Sequence, residues 1–211
     1  MFNVCPGCGE YSDDKQVITK SGGTFAVCEA CNYQHPFKRL PLLVVTGASG
    51  TGKTTVALRL PTVVTDCVCM ESDILWQDVF NKPEEDFKTY RNLWLRVAKN
   101  IAQSDRPVAL IGSSTPGQFE KCAESRYFSK IHYLALVCNE AELVKRLKAR
   151  PSWRSSGSEE SLEKMVNFNQ WLIENAAKTR PVMTLLDTSD QTIDETVADT
   201  KSWIERSLRA F

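Results

Sequence analysis

One octapeptide constrains the fold of this chain more than any other segment: Gly47-Ala48-Ser49-Gly50-Thr51-Gly52-Lys53-Thr54. Two glycines bracket four residues and Lys-Thr follows, which is the P-loop pattern. An apolar run, Leu42-Leu43-Val44-Val45, precedes it, and a helix-forming stretch runs from Thr55 to Leu60. Strand, loop and helix are thus read in the order the pattern requires. Backbone N–H groups converging in such a loop replace water around adjacent negative charges, and glycine permits both the positive φ angles and the close approach. The helix N-terminus adds aligned dipoles, Lys53 is placed to reach the β and γ phosphates of a nucleoside triphosphate, and the Thr54 hydroxyl is placed to coordinate Mg²⁺. Gly47 to Thr55 is the expected nucleotide cradle.

The chain has 211 residues, enough for one moderate α/β domain and a small appendage. With 26 basic and 26 acidic residues it carries no net charge, which argues against a surface that is nucleic-acid footprint throughout. No apolar stretch approaches the roughly 20 residues that span a bilayer, and Met1-Phe2-Asn3-Val4-Cys5 has no basic segment leading into an apolar one. The expectation is a cytoplasmic protein without a membrane partner. Among eight cysteines, Cys5-Pro6-Gly7-Cys8 and Cys28-Glu29-Ala30-Cys31 form two Cys-x2-Cys knuckles separated by 19 residues, close to the spacing of a four-cysteine structural zinc site. Four thiolates leave no open position for water, so the metal is structural. A redox dithiol would normally occur once, within a thioredoxin-like pattern.

Residues 1–39 therefore read as a zinc ribbon, with short strands at Gln16-Val17-Ile18-Thr19 and Thr24-Phe25-Ala26-Val27, and residues 40–211 as the main domain. The main domain alternates apolar runs with helical patterns, which predicts a parallel sheet covered by helices. Strands are expected at Leu42 to Thr46, Cys67 to Glu71, Pro107 to Gly112, Ile131 to Cys138 and Val182 to Asp187. A helix is expected from about Pro83 to Ser104, its stripe of Phe87, Tyr90, Trp94, Val97 and Ile101 in the core and Lys88, Arg91, Arg96 and Lys99 on a solvated face. Ser156 with Glu159 suggests a capping box opening a helix to about Lys178, and a last helix runs from about Thr192 to Arg209. Five strands with crossover helices imply the three-layer P-loop fold, with ligands at the carboxyl ends of the strands.

Glu71-Ser72-Asp73 follows the second of these strands, two carboxylates that alternation can point to one side of the chain. One suits Mg²⁺ and the other a substrate hydroxyl proton, unless Asp73 merely caps the next helix. The third strand ends in Gly112-Ser113-Ser114 and lacks the terminal Asp of a typical Walker B, as an acceptor-binding strand would. Arg146, Arg150 and Arg154 recur at four-residue spacing up to a Gly/Ser-rich tip, the arrangement expected of a mobile lid carrying arginines over the phosphates. The two histidines, His35 near the cysteines and His132 inside a strand, offer no basis for histidine catalysis.

These residues resemble the P-loop kinase group that contains adenylate, shikimate and gluconate kinases, over roughly residues 41 to 209. The resemblance rests on the P-loop, the acid pair, Arg146 with Arg150, and Leu186-Asp187-Thr188-Ser189 after the fifth strand. It implies that Arg146 stacks on adenine, that Arg150 touches the phosphates, and that Asp187 and Thr188 border the base. Shikimate-type kinases carry Asp-x-Asp where this chain has Glu71-Ser72-Asp73, and the ribbon is foreign to the core group. The leading expectation is an ATP-dependent small-molecule kinase of nucleoside or nucleotide type. In it Lys53, Arg150 and Arg154 stabilise the transferring group, Thr54 and Glu71 serve Mg²⁺, and Asp73 orients or deprotonates the acceptor. Two alternatives are a polynucleotide or tRNA end kinase, with Lys15, Lys20, Lys38 and Arg39 of the ribbon gripping nucleic acid, and a nucleotide-dependent binding module with slow hydrolysis. The acceptor stays open, because Arg91, Arg96, Ser113 and Ser114 suit a phosphate, a carboxylate or a sugar equally well.

Overall fold

The computed structural model describes residues 3–151 and 158–209. Arg154 and Ser156 lie outside the described residues. The ribbon is a three-stranded antiparallel sheet, β1 (Gln16–Lys20), β2 (Gly23–Val27) and β3 (Gln34–Phe37), in that order. Strand β3 was not legible because it contains Pro36, which an edge strand tolerates through its unpaired side.

Five parallel strands form the main sheet: β4 (Leu42–Gly47), β5 (Val68–Glu71), β6 (Val108–Ile111), β7 (Ile131–Val137) and β8 (Met183–Asp187), in the order β5-β6-β4-β7-β8. All lie within a residue or two of the expected positions. Alternation along the strands divides their side chains between two cores. Leu42, Val44, Leu110, Tyr133 and Ala135 face α2 (Lys88–Ala102) and α5 (Glu159–Asn175), packing with Trp94, Leu95 and Leu172. Leu43, Val45, Ile111, Leu134 and Leu136 face α1 (Lys53–Arg59) and α6 (Ile193–Arg209), packing with Val56, Leu60 and Ile204. The result is the expected three-layer α/β architecture. Two further helices, α3 (Pro116–Glu120) and α4 (Glu140–Lys148), follow β6 and β7.

The expected helix from Pro83 is interrupted. A 3-10 turn, Pro83–Glu85, is followed by Asp86 and Phe87 with φ of 52° and 50°, so the α-helix starts only at Lys88. The reversal tucks the Phe87 ring under the Arg91 guanidinium, 5.7 Å from its centroid. Ser72 to Leu75 is likewise a 3-10 turn, so Asp73 caps no α-helix. Helix α5 is capped by Ser158, whose hydroxyl accepts from the Ser161 amide. The charged face of α2 is not solvated as expected: Arg91 is 7% exposed and Lys99 is 1% exposed.

Candidate active site

Strand β4 lies at the centre of the sheet with β6 on one side and β7 on the other, and the P-loop leaves its carboxyl end. Crossovers that turn to opposite sides of a parallel sheet open a crevice at such a point. Gly47 has φ of 151°, and a Cβ there would sit 2.5 Å from the Leu136 carbonyl oxygen and 2.6 Å from Thr51 Oγ1. Only glycine fits. A cleft of about 930 Å³ opens over this loop, and Ser49, Gly50, Thr51, Gly52, Lys53, Thr54 and Thr55 line its floor. Gly47 and Ala48 lie behind it, their carbonyls accepting from Lys53 Nζ at 2.8 and 3.0 Å.

Burial draws the Lys53 amine down to about 8, the Arg150 charge pushes in the same direction, and Asp73 and Glu71 oppose it. These four groups therefore face one space. Glu71, Asp73, Arg146, Arg150 and Thr188 all line the cleft. Arg146 is pinned: Nε donates to Glu142 Oε1 at 2.9 Å, Nη1 to Thr188 Oγ1 at 3.1 Å and Nη2 to the Thr188 carbonyl at 2.8 Å. Asp187 is exposed and accepts from the Ser189 amide and hydroxyl at 2.9 and 2.6 Å, which shapes the loop that carries Thr188.

No protein-family model and no curated protein matches the chain. Solved structures do match it. A sugar kinase from a Janibacter species aligns with a TM-score of 0.57 at 14% identity, over 81% of this chain and 97% of that one. A gluconokinase from Sinorhizobium meliloti gives 0.55 at 21% identity, over 82% and 96%. The shikimate kinase of Acinetobacter baumannii, solved with shikimate, gives 0.51 at 21% identity, over 81% and 96%. The fold is that of the P-loop small-molecule kinases. At these identities the likeness is one of fold, and the chemistry rests on the residues themselves.

On this P-loop kinase frame the far wall of the cleft is built by Trp76, Asn81, Phe87, Tyr90, Arg91 and Trp94, with Gly112 and Ser113 beneath. Tyr90 stands edge-on to Trp76 and Trp94, at 5.1 and 4.7 Å between centroids. The first two turns of the aromatic stripe, expected to be core alone, thus also face the cleft. Arg91 pairs with Asp86 at 3.4 Å, and its buried Nε has no hydrogen-bond partner. Of the residues expected to touch an acceptor, Arg91 and Ser113 line this wall. Arg96 instead pairs with Asp13 and Glu124, and Ser114 is buried with its amide on Thr46 Oγ1. Gly112 is required for contact: a Cβ would lie 2.7 Å from Ser72 Cβ. Trp76, Asn81, Gln191, Ile193 and Thr196 also line the cleft and carried no sequence signal, since no motif or spacing marks them.

In the ribbon added to this kinase fold, the Sγ atoms of Cys5, Cys8, Cys28 and Cys31 lie within 4.8 Å of one another, with Cys5 to Cys31 at 3.6 Å and Cys8 to Cys28 at 3.7 Å. Four thiolates around Zn²⁺ at about 2.3 Å stand about 3.8 Å apart, so the donor set and its spacing fit that ion. The two knuckles share one backbone plan. The residue after the second cysteine has positive φ, Gly9 at 79° and Asn32 at 58°, and its amide returns to the first cysteine's carbonyl at 2.8 Å. Lys15, one of the four basic residues considered for nucleic acid, is 2% exposed. Lys38 pairs with Asp105, and Arg39 donates to the Arg126 carbonyl. Among the described residues no helix is long and apolar enough to cross a membrane.

Proposed function

We propose that this protein is an ATP-dependent phosphotransferase that moves the γ-phosphoryl group to a small acceptor, with Zn²⁺ held in the four-cysteine ribbon. The observation that carries the reading is the convergence of Lys53, Arg150, Glu71 and Asp73 on one cleft between the P-loop and a separate aromatic wall. Mg²⁺-bound ATP supplies the phosphoryl group and leaves as ADP. The empty space beyond Gly52, where an added Cβ would meet nothing within 4 Å, and the glycine-rich backbone at the start of α1 suit its phosphates. Lys53 leaves the Gly47 and Ala48 carbonyls to pair with them. Thr54 and Glu71 hold Mg²⁺, and Asp73 takes the acceptor's hydroxyl proton. Arg150, together with Arg154, neutralises charge on the transferring group, and Arg146, held flat by Glu142 and Thr188, offers a face to the base.

On the far wall, the unpartnered Arg91 Nε and the surrounding rings favour an acceptor with one anionic or acceptor-rich group and one apolar face. Residues 1–39 and 40–211 are assigned as ribbon and kinase units, and a cytoplasmic setting suits the thiolates. ADP release with Mg²⁺ and ATP, measured against nucleosides, nucleoside monophosphates, hydroxy acids and short RNAs, tests the reading. Stimulation by one small acceptor, lost in Lys53→Ala, is expected. Demonstrable ATP binding without stimulation by any acceptor overturns it in favour of a nucleotide-dependent switch.

A further inference from the structure

A fully buried ion pair lies where the ribbon meets the main domain. Glu124 is 0% exposed and Lys99 1% exposed, with Lys99 Nζ donating to Glu124 Oε2 at 2.5 Å. Burying two charges is costly unless every oxygen and proton finds a partner. Here the partners come from both sides of the joint. Arg96 Nε, on α2, donates to Glu124 Oε1 at 2.8 Å, and Asn3 of the ribbon donates to the same oxygen at 3.4 Å while accepting from Lys99 Nζ at 2.9 Å. Arg96 Nη2 reaches on to Asp13 at 2.6 Å. The Tyr127 hydroxyl donates to the Asp13 carbonyl and accepts from the Lys15 amide, both at 2.8 Å, and Gln103 exchanges two hydrogen bonds with the Lys38 backbone.

The ribbon side of this cluster depends on the cysteine site. Asn3 lies two residues before Cys5, its carbonyl accepts from the Ser12 amide, and Cys5 donates to the Glu10 carbonyl, so residues 3–12 close around the first knuckle. The main-domain side depends on α2. That helix carries Lys99 toward one end and Tyr90 and Arg91 toward the other, Tyr90 about 14 Å from Lys99 along the axis, with Trp94 between them. Tyr90 in turn donates to the Ser72 carbonyl at 2.8 Å, between Glu71 and Asp73.

We propose that the metal-loaded ribbon braces the acceptor wall of the cleft, and that Glu124 is the positioning residue through which it acts. Loss of metal frees Asn3, leaves the buried Glu124–Lys99 pair short of partners, and lets α2 shift with its Tyr90 anchor. None of these contacts involves the P-loop, α1 or α4, so nucleotide binding is spared. The kinetic consequence rests on the kinase reading, whereas the structural consequence does not.

The test is hydrogen exchange by mass spectrometry on the full chain, loaded with Zn²⁺ and stripped by a chelator, alongside Glu124→Gln with its zinc retained. In both the stripped protein and the variant, residues 88–102 and 72–75 are expected to exchange about tenfold faster, with 42–47 and 53–59 unchanged. Affinity for a fluorescent ATP analogue stays within about twofold, and for an acceptor found in the panel kcat/KM falls about tenfold, with KM rising and kcat falling as the Asp73 turn loosens. Faster exchange confined to residues 3–37, or spread equally over both halves of the cleft, overturns the proposal. Should Glu124→Gln not fold, Asp13→Asn interrupts the same link at its half-exposed end and is read in the same way. A panel without any acceptor refutes the kinase reading and leaves the exchange result standing.

Discussion

Lys53 carries a cost that its own surroundings impose. Its amine is turned back onto two carbonyls, and burial first, then Arg150, draws its pKa from 10.5 to about 8. Below about pH 8 the amine is charged in both folded and unfolded chains, and the folded state bears the cost in full. Between about 8 and 10.5 only the unfolded chain holds the proton, so stability rises with pH across that window. Lys53→Met is therefore expected to raise the ligand-free melting temperature by about 10 °C at pH 7, on a cost of about 3 kcal/mol, and to lose this advantage near pH 10.5. It should also abolish stabilisation by ATP, and thermal unfolding at the two pH values measures both effects. The carbonyls that Lys53 leaves keep other partners, Ser113 Oγ on Gly47 and the Thr51 hydroxyl on Ala48. At this scale the P-loop was legible because its chemistry is contiguous. Arg91 and Arg96 were not separable, since which of two neighbouring arginines faces the cleft depends on helix phase and on distant carboxylates.

Elements were read well where a repeating apolar pattern decided them. All five main strands fall where expected, whereas α2 begins five residues late because Asp86 and Phe87 adopt positive φ to carry a ring toward Arg91. Tertiary contact overrides the helical stripe there. The short α3 escaped notice although Thr115 and Gln118 sit at capping-box positions, the Thr115 amide donating to Gln118 Oε1 at 2.9 Å, since five residues show no periodicity. Helix α5 is held to the sheet by a buried Asn169 that accepts from the Cys138 amide at 3.2 Å and donates to its carbonyl at 2.7 Å, just past the end of β7. Asn169→Leu leaves both backbone groups unsatisfied, and urea unfolding should show a loss of about 2–3 kcal/mol with an unchanged m-value.

The four-thiol cluster was legible from cysteine spacing, but the way its segment joins the five-stranded sheet was not. The joint gathers residues 3, 13, 96, 99 and 124, which no local pattern connects. A chain starting at residue 40 should accordingly melt at least 10 °C lower than the full chain, since it uncovers Tyr127 and strips Asn3 and Asp13 from a buried charge cluster. Scanning calorimetry of the two lengths decides it. The partition of the strand side chains has a thermodynamic corollary. Leu172 and Ile204 are both fully buried but belong to separate cores on opposite faces of the sheet. Truncating either to alanine should cost about 2–5 kcal/mol, and the double variant should cost the sum to within about 0.5 kcal/mol. Damage to one layer would not propagate to the other, so the layer beneath α2 and α5 can be rebuilt by substitution without disturbing the one beneath α1 and α6.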